Sequence, residues 1–286
     1  MLQIKTLEKT TIEQITNTFN SAFSDYSTPV KFTQAQFETK FASEGVRLDL
    51  SVGVFENEKL VAFILHFINI VNGKKYIYNG GTGVTPPFRG AKLTSQMYDF
   101  IIPKLKNESI DRMILEVFID NFSALKIYQD RGFKILREVN CFNGKLNGTV
   151  QNRNGGRYEV EEIKELDWAK FQSFWDYQPT WQNSISTLNN LQKLNLCIGI
   201  LKDEIIVGYL IYNPKNKRIH QIAIDKNYRN IGIGSQLLNY ISKIETENIS
   251  IINIDTKAYY LKRFLEKKGL KNSINQYEME YNLKVY

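Results

Sequence analysis

Residues 229–234 read Arg-Asn-Ile-Gly-Ile-Gly, between an alternating run, RIHQIAID (218–225), and a helical pattern, SQLLNYISKIE (235–245). A strand–loop–helix junction of this kind can hold an anion. The first N–H groups of a helix lack partners within it, and the helix dipole adds a field that favours negative charge. Gly232 and Gly234 remove side chains that would keep a phosphate away from the backbone, and Arg229 brings a cation. The same residues also suit a plain tight turn. The order is neither the Gly-x-x-x-x-Gly-Lys-Ser/Thr nor the Gly-x-Gly-x-x-Gly phosphate loop.

The elements around this loop occur twice. TGVTPPFRGAKLTSQMYDFI (82–101) aligns without a gap on IAIDKNYRNIGIGSQLLNYI (222–241), setting Arg89 on Arg229, Ser95 on Ser235 and Gln96 on Gln236. Upstream, SVGVFENEKLVAFIL (51–65) matches CIGILKDEIIVGYLI (197–211), and downstream YQDRGFKI resembles LEKKGLKN. Three blocks in one order, at so long a period, mean two tandem copies of a domain rather than a solenoid. The Asn/Gly-rich stretch NGKLNGTVQNRNGGRY (143–158) reads as the joint, which sets domains at 1–150 and 151–286. Each copy reads as a helical start, a hairpin of alternating strands, a third strand entering the loop, a helix, a strand and a last helix closed by Gly132 or Gly269. The helical stripes are Leu93, Met97, Ile101 and Leu105, and Ile233, Leu237, Ile241 and Ile244. This order implies an α/β or α+β layered fold.

Composition removes several classes. Hydrophobic residues make up 43% and aromatics 13%, enough for packed cores. Cys141 and Cys197 form no Cys-x-x-Cys pair, and His66 and His220 lie far apart, so no metal is expected. The longest apolar run, LVAFILHFINIV, is too short to span a bilayer, and the N-terminus lacks a signal-like apolar core. A cytoplasmic protein without membrane contact is expected. The net charge of +7 comes from scattered Lys and Arg, which suits an anionic ligand better than nucleic acid.

The loop YRNIGIG resembles the Arg/Gln-x-x-Gly-x-Gly/Ala motif of the GNAT superfamily of N-acetyltransferases. NFSALKIYQDRGF, with Asn121, Ala124, Tyr128, Gly132 and Phe133, resembles a second pattern of that family. The resemblance covers nearly the whole chain. It implies two GNAT-like domains in tandem, each a mixed, splayed sheet flanked by helices, with acetyl-CoA as co-substrate. The loop amides would bind its pyrophosphate, through Ile224, Arg229, Asn230, Ile231, Gly232, Ile233 and Gly234 in copy two. In copy one the matching positions are Arg89, Gly90, Ala91, Lys92, Leu93 and Thr94, with Asn121 nearby; Lys92 and Thr94 replace the usual glycines. Gly83 and Val84 would hold the acetyl carbonyl by backbone N–H groups. Tyr128 would protonate the departing sulfur, and Glu116 would accept the amine proton, with strand-edge pairing as its structural alternative. Copy two has Leu265 in place of the tyrosine, so the resemblance favours copy one as the catalytic half.

In copy two, Asp255 reads as a helix N-cap. Trp175, Tyr177 and Trp181 read as core before pocket, and His220 as a satisfied strand residue before a base. The leading function is acetyl transfer to a primary amine of a small molecule or peptide, by a monomer or homodimer. The alternative is an acyl-CoA sensor without turnover, and a nucleic-acid-binding protein ranks last.

Overall fold

The structure is a computed structural model that describes residues 1–25, 31–147 and 158–284. The elements run β1 (Leu2–Thr6), α1 (Ile12–Ala22), α2 (Gln34–Glu44), β2 (Val52–Glu56), β3 (Lys59–Val71), β4 (Lys74–Val84), α3 (Leu93–Asn107), β5 (Arg112–Phe118), α4 (Phe122–Asp130) and β6 (Lys134–Gly144). They continue with β7 (Glu159–Glu162), α5 (Trp168–Ser173), α6 (Ile185–Asn190), β8 (Leu196–Lys202), β9 (Ile205–Asn213), β10 (Arg218–Ile224), α7 (Ile233–Ile244), β11 (Ile249–Asp255), α8 (Tyr259–Lys267) and β12 (Lys271–Asn282).

The chain forms two compact units. Unit 1 comprises Met1–Leu136 and the C-terminal stretch from Tyr277; unit 2 is Arg137–Gln276. The expected joint near residue 150 lies outside the described residues. The units are not the two repeats: most of β6, which closes the first repeat, counts with unit 2, and the second half of β12, which closes the second, counts with unit 1. Unit 1 orders its strands β1-β2-β3-β4-β5-β12, and unit 2 orders them β6-β11-β10-β9-β8-β7.

Local chemistry explains the elements. The Thr11 hydroxyl accepts from the Gln14 N–H and caps α1, and Thr33 with Gln36 forms a capping box for α2. The β2–β3 and β8–β9 hairpins turn on Asn57-Glu58 and Asp203-Glu204, all four at positive φ, as a two-residue turn matched to strand twist requires. The Leu93, Met97, Ile101 and Leu105 stripe is buried in the unit 1 core, and Ile233, Leu237 and Ile241 in that of unit 2. Ile244 departs from its expected stripe and is exposed, because α7 ends there and Glu245 is extended. The other face of the unit 1 sheet carries a run of phenylalanines, among them Phe19, Phe37, Phe41, Phe63 and Phe67.

Both sheets open at the carboxyl ends of their central strands. Parallel pairing of β4 with β5 stops at Asn79↔Leu115, although the strands run on to Val84 and Phe118. Pairing of β10 with β11 stops sooner, at Ile219↔Ile251, although they continue to Ile224 and Asp255. The carboxyl end of parallel strands is where α/β sheets bind ligands.

Candidate active site

Between β10 and α7 the chain makes a 3-10 turn at Lys226–Tyr228, an extended Arg229, and two left-handed residues, Asn230 (φ 64°) and Gly232 (φ 97°). Asn tolerates this conformation, and Gly adopts it without strain. Gly232 is the N-cap of α7 and supplies no side-chain hydrogen bond, so the first-turn N–H groups have no cap to bind. Unit 1 repeats the path. Gly90 (φ 80°) and Lys92 (φ 55°) take the two left-handed positions, and Lys92 is an N-cap of α3 without a side-chain hydrogen bond. The Lys92 departure therefore leaves the loop's course intact, at a cost of about 1–2 kcal/mol for a left-handed L-residue. Leu93 and Ile233 bury their side chains, so each offers a ligand only backbone. Ala91, Asn230 and Ile231 are exposed or half-exposed on the loops, and Thr94 is half-buried.

The two arginines are occupied. Arg229 donates from Nε to the Ile224 carbonyl (3.1 Å), from Nη2 to the Phe174 carbonyl (2.9 Å) and from Nη1 to Asp176 (3.1 Å). Arg89 does the same with the Val84 carbonyl (3.3 Å), the Ala22 carbonyl (2.9 Å) and Asp25 (2.6 Å). The free cation expected from sequence is instead a three-point clamp. It ties the loop to the segment that follows the unit's first helix.

In unit 2 the loop opens onto a cleft of about 370 Å³. Ile224, Arg229, Asn230, Gly232, Ile233 and Gly234 form one side, Tyr260 and Phe264 of α8 another, and Trp175, Tyr177 and Tyr209 a third. A hydrogen-bonded chain fixes the last wall. Trp175 Nε1 donates to the Tyr209 hydroxyl (2.6 Å), which donates to Gln221 Oε1 (2.6 Å), while Gln221 Nε2 donates to the Asn183 carbonyl (2.6 Å). His220 also lines the cleft; its Nδ1 lies 3.2 Å from Asn183 Oδ1, and its Nε2 is buried without a hydrogen-bond partner among the described residues. Burial, with a smaller push from Arg218, lowers the His220 pKa to about 3, so the imidazole is neutral.

The unit 1 candidates are arranged differently. Tyr128 is 7% exposed and packs against Tyr98 and Phe133, with ring centroids 6.2 and 5.6 Å away. Alternation along β5 turns Leu115 and Val117 into that core and Glu116 to the other face, so the two candidate catalytic groups do not share a face. Glu116 Oε2 accepts from the Tyr78 hydroxyl, while Oε1 is buried without a partner among the described residues. Burial and then the nearby Glu278 raise its pKa to about 8, against the opposing Tyr78 hydrogen bond. Gly83 is buried, and a Cβ there would come within 2.6 Å of Phe63 and 2.9 Å of Ala22. The Val84 carbonyl serves the Arg89 clamp. Asn121 caps α4, its Oδ1 accepting from the Ala124 N–H at 3.2 Å.

A repeated, uncapped loop at a splayed sheet is the geometry, and the comparisons agree with it. The acetyltransferase (GNAT) family model matches residues 12–133 and 160–265. The chain belongs to the GNAT acetyltransferase family. A tandem GNAT protein from the clavulanic acid biosynthesis pathway is 10% identical, covers 100% of both chains and superposes with a TM-score of 0.76. A GCN5-related N-acetyltransferase from Sphaerobacter thermophilus is 14% identical over 99% of this chain and 96% of its own, with a TM-score of 0.73. A putative acetyltransferase from Pyrococcus horikoshii is 14% identical over 99% and 90%, with a TM-score of 0.66. At such identities the likeness is one of fold. No curated protein matches the chain.

Within this tandem GNAT chain, several copy-two residues differ from their sequence reading. Asp255 does not cap α8, whose N-cap is Ala258. Its Oδ1 accepts from the Lys257 N–H, and its Oδ2 pairs with Arg137 at 3.2 Å. Trp175 and Tyr177 line the cleft, whereas Trp181 is buried. Asn183 and Gln221 carried no sequence signal, because their partners lie on other elements, 12 to 69 positions away. Among the described residues no group of three or more His, Cys, Asp or Glu is placed to hold a metal, and no helix is long and apolar enough to cross a membrane.

Proposed function

We propose that this GNAT protein transfers an acetyl group from acetyl-CoA to a primary amine of a small molecule or peptide, and that the transfer takes place in the unit 2 cleft. One observation carries the reading: the uncapped N-terminus of α7, presented by left-handed Asn230 and Gly232, opens into a cleft lined by the end of β10 that β11 leaves unpaired. The residues present fit acetyl-CoA. Unsatisfied helix N–H groups suit its pyrophosphate, and Gly232 lets the backbone come close.

Acetyl-CoA supplies an activated thioester. The chain's own residues orient the reactants and receive charge. Beyond Ile219, β10 is released from β11, and Ala223 and Ile224 line the cleft where a thioester oxygen would need backbone donors. Buried Phe174 and Tyr209 keep one wall dry, which strengthens such contacts. The aromatic wall suits the carbon skeleton of an amine.

The test is a thiol assay for CoA release with a panel of polyamines, amino acids, aromatic amines and peptide N-termini, paired with mass analysis of each amine. We expect CoA release matched by a 42 Da gain on at least one amine, the mass of an added acetyl group. Tight acetyl-CoA binding with no acetylated amine would favour the acyl-CoA sensor.

A further inference from the structure

We infer that His220 is the base of this transfer, taking the amine proton on Nε2, and that Asn183 is the positioning residue that leaves Nε2 bare. The inference rests on the acyl-transfer reading above and adds to it the group that handles the proton.

Place comes first. Pairing of β10 with β11 ends at Ile219, so His220 is the first residue of the open gap. Pairing of β10 with β9 shifts register between Ile219 and Gln221, passing over His220. A bulge of this kind re-aims a side chain.

The tautomer follows from Asn183, which is 3% exposed. Its Nδ2 donates to the Ile252 carbonyl at 3.0 Å, on the facing strand β11, so Oδ1 is the end presented to His220. An amide oxygen can only accept. The hydrogen therefore sits on His220 Nδ1, and Nε2 keeps its lone pair.

Nε2 is buried without a protein partner among the described residues, and leaving a buried acceptor unpaired is unfavourable. A ligand N–H would satisfy it. His66 offers a contrast within the chain. Its Nε2 is orphaned too and its Nδ1 faces the Leu50 carbonyl at 2.7 Å, but it is wholly buried, whereas His220 lines the cleft.

The proton balance closes. As the amine nitrogen bonds to the acetyl carbon it becomes acidic, and its proton needs an acceptor within reach. His220 Nε2 takes that proton, the C–S bond breaks, and the thiolate leaves with the electron pair. The imidazolium then returns its proton to the sulfur or to water.

Only two histidines occur in the chain, so isotope-labelled histidine gives two imidazole spin systems, assigned with a His220→Gln variant. We expect the wild-type His220 ring as the Nδ1–H tautomer and the Asn183→Ala ring as Nε2–H, with a fall in kcat in that variant. His220→Gln should lose roughly 10²–10⁴-fold in kcat, the usual share of a general base, with acetyl-CoA affinity kept within about twofold. An Nε2–H tautomer in the wild type overturns the inference even if the Asn183→Ala variant does not fold. A folded His220→Gln with unchanged kcat overturns it alone, whereas a wild type that binds acetyl-CoA and acetylates no amine overturns the acyl-transfer reading with it.

Discussion

A carboxyl group held away from water keeps its proton, and Glu116 is the clearest case in unit 1. Its raised value, about 8 against an ordinary 4.5, means that the folded state binds this proton more tightly than the unfolded chain. Stability from this group is therefore complete below pH 4.5 and is lost as pH rises towards 8. At about 1.4 kcal/mol per unit, the loss amounts to a few kcal/mol. Glutamine keeps the shape and the acceptor for Tyr78 but cannot ionise. Glu116→Gln should match wild type in thermal melts at pH 5 and melt ~5 °C or more higher at pH 9. Equal melting at both pH values would mean that Glu116 is solvated as a carboxylate. The sequence could nominate Glu116, because it stands in an alternating strand. It could not reveal the environment, because Tyr78 and Glu278 reach it from distant parts of the chain.

The strand–loop–helix element is where sequence was most legible, since its signal is local. Gly232, the apolar stripes and the hairpins all act within a few residues of themselves. The role of Arg229 was not legible. Its charge suggested a ligand contact, but its partners Phe174 and Asp176 come from the other end of the unit, and spacing says nothing about them. The clamp makes the loop and the aromatic wall one mechanical piece, since Asp176 stands between Trp175 and Tyr177. Arg229→Ala removes an ion pair and two carbonyl contacts, together about 1–2 kcal/mol. If the clamp holds the loop in its binding conformation, acetyl-CoA titration calorimetry should show unit 2 affinity falling roughly 5–30-fold, the equivalent of that energy. Arg229→Lys keeps the charge without the fork and should fall between the two. Unchanged affinity in Arg229→Ala would show that the loop holds its course without the strap. The cleft's polar lining was the least legible part, because the Tyr209–Gln221–Asn183 chain joins three elements whose residues look ordinary one at a time.

At the scale of the whole molecule, the repeat suggests two halves that could be separated, and the composition of the units argues against it. Unit 1 takes its closing strand from the C-terminus: Met279 and Leu283 are buried in its core, and Glu280 pairs with Arg112 at 2.7 Å. Unit 2 takes β6, whose Phe142 is buried in its core, and Leu146 just beyond it. It also takes Arg137, which binds Asp255 and the Gln178 carbonyl. A fragment of residues 1–150 therefore lacks part of its own core, and a fragment of 151–286 lacks a strand and a half-buried cation. Losing one buried large side chain costs about 2–5 kcal/mol, and each fragment loses two, against a total stability of about 5–15 kcal/mol for a typical protein. We expect neither fragment alone to melt cooperatively or to bind acetyl-CoA, and the two produced together to restore both properties. Independent, cooperative folding of each fragment would mean that a strand can close its own repeat, and that the arrangement seen here is one of two the chain can adopt.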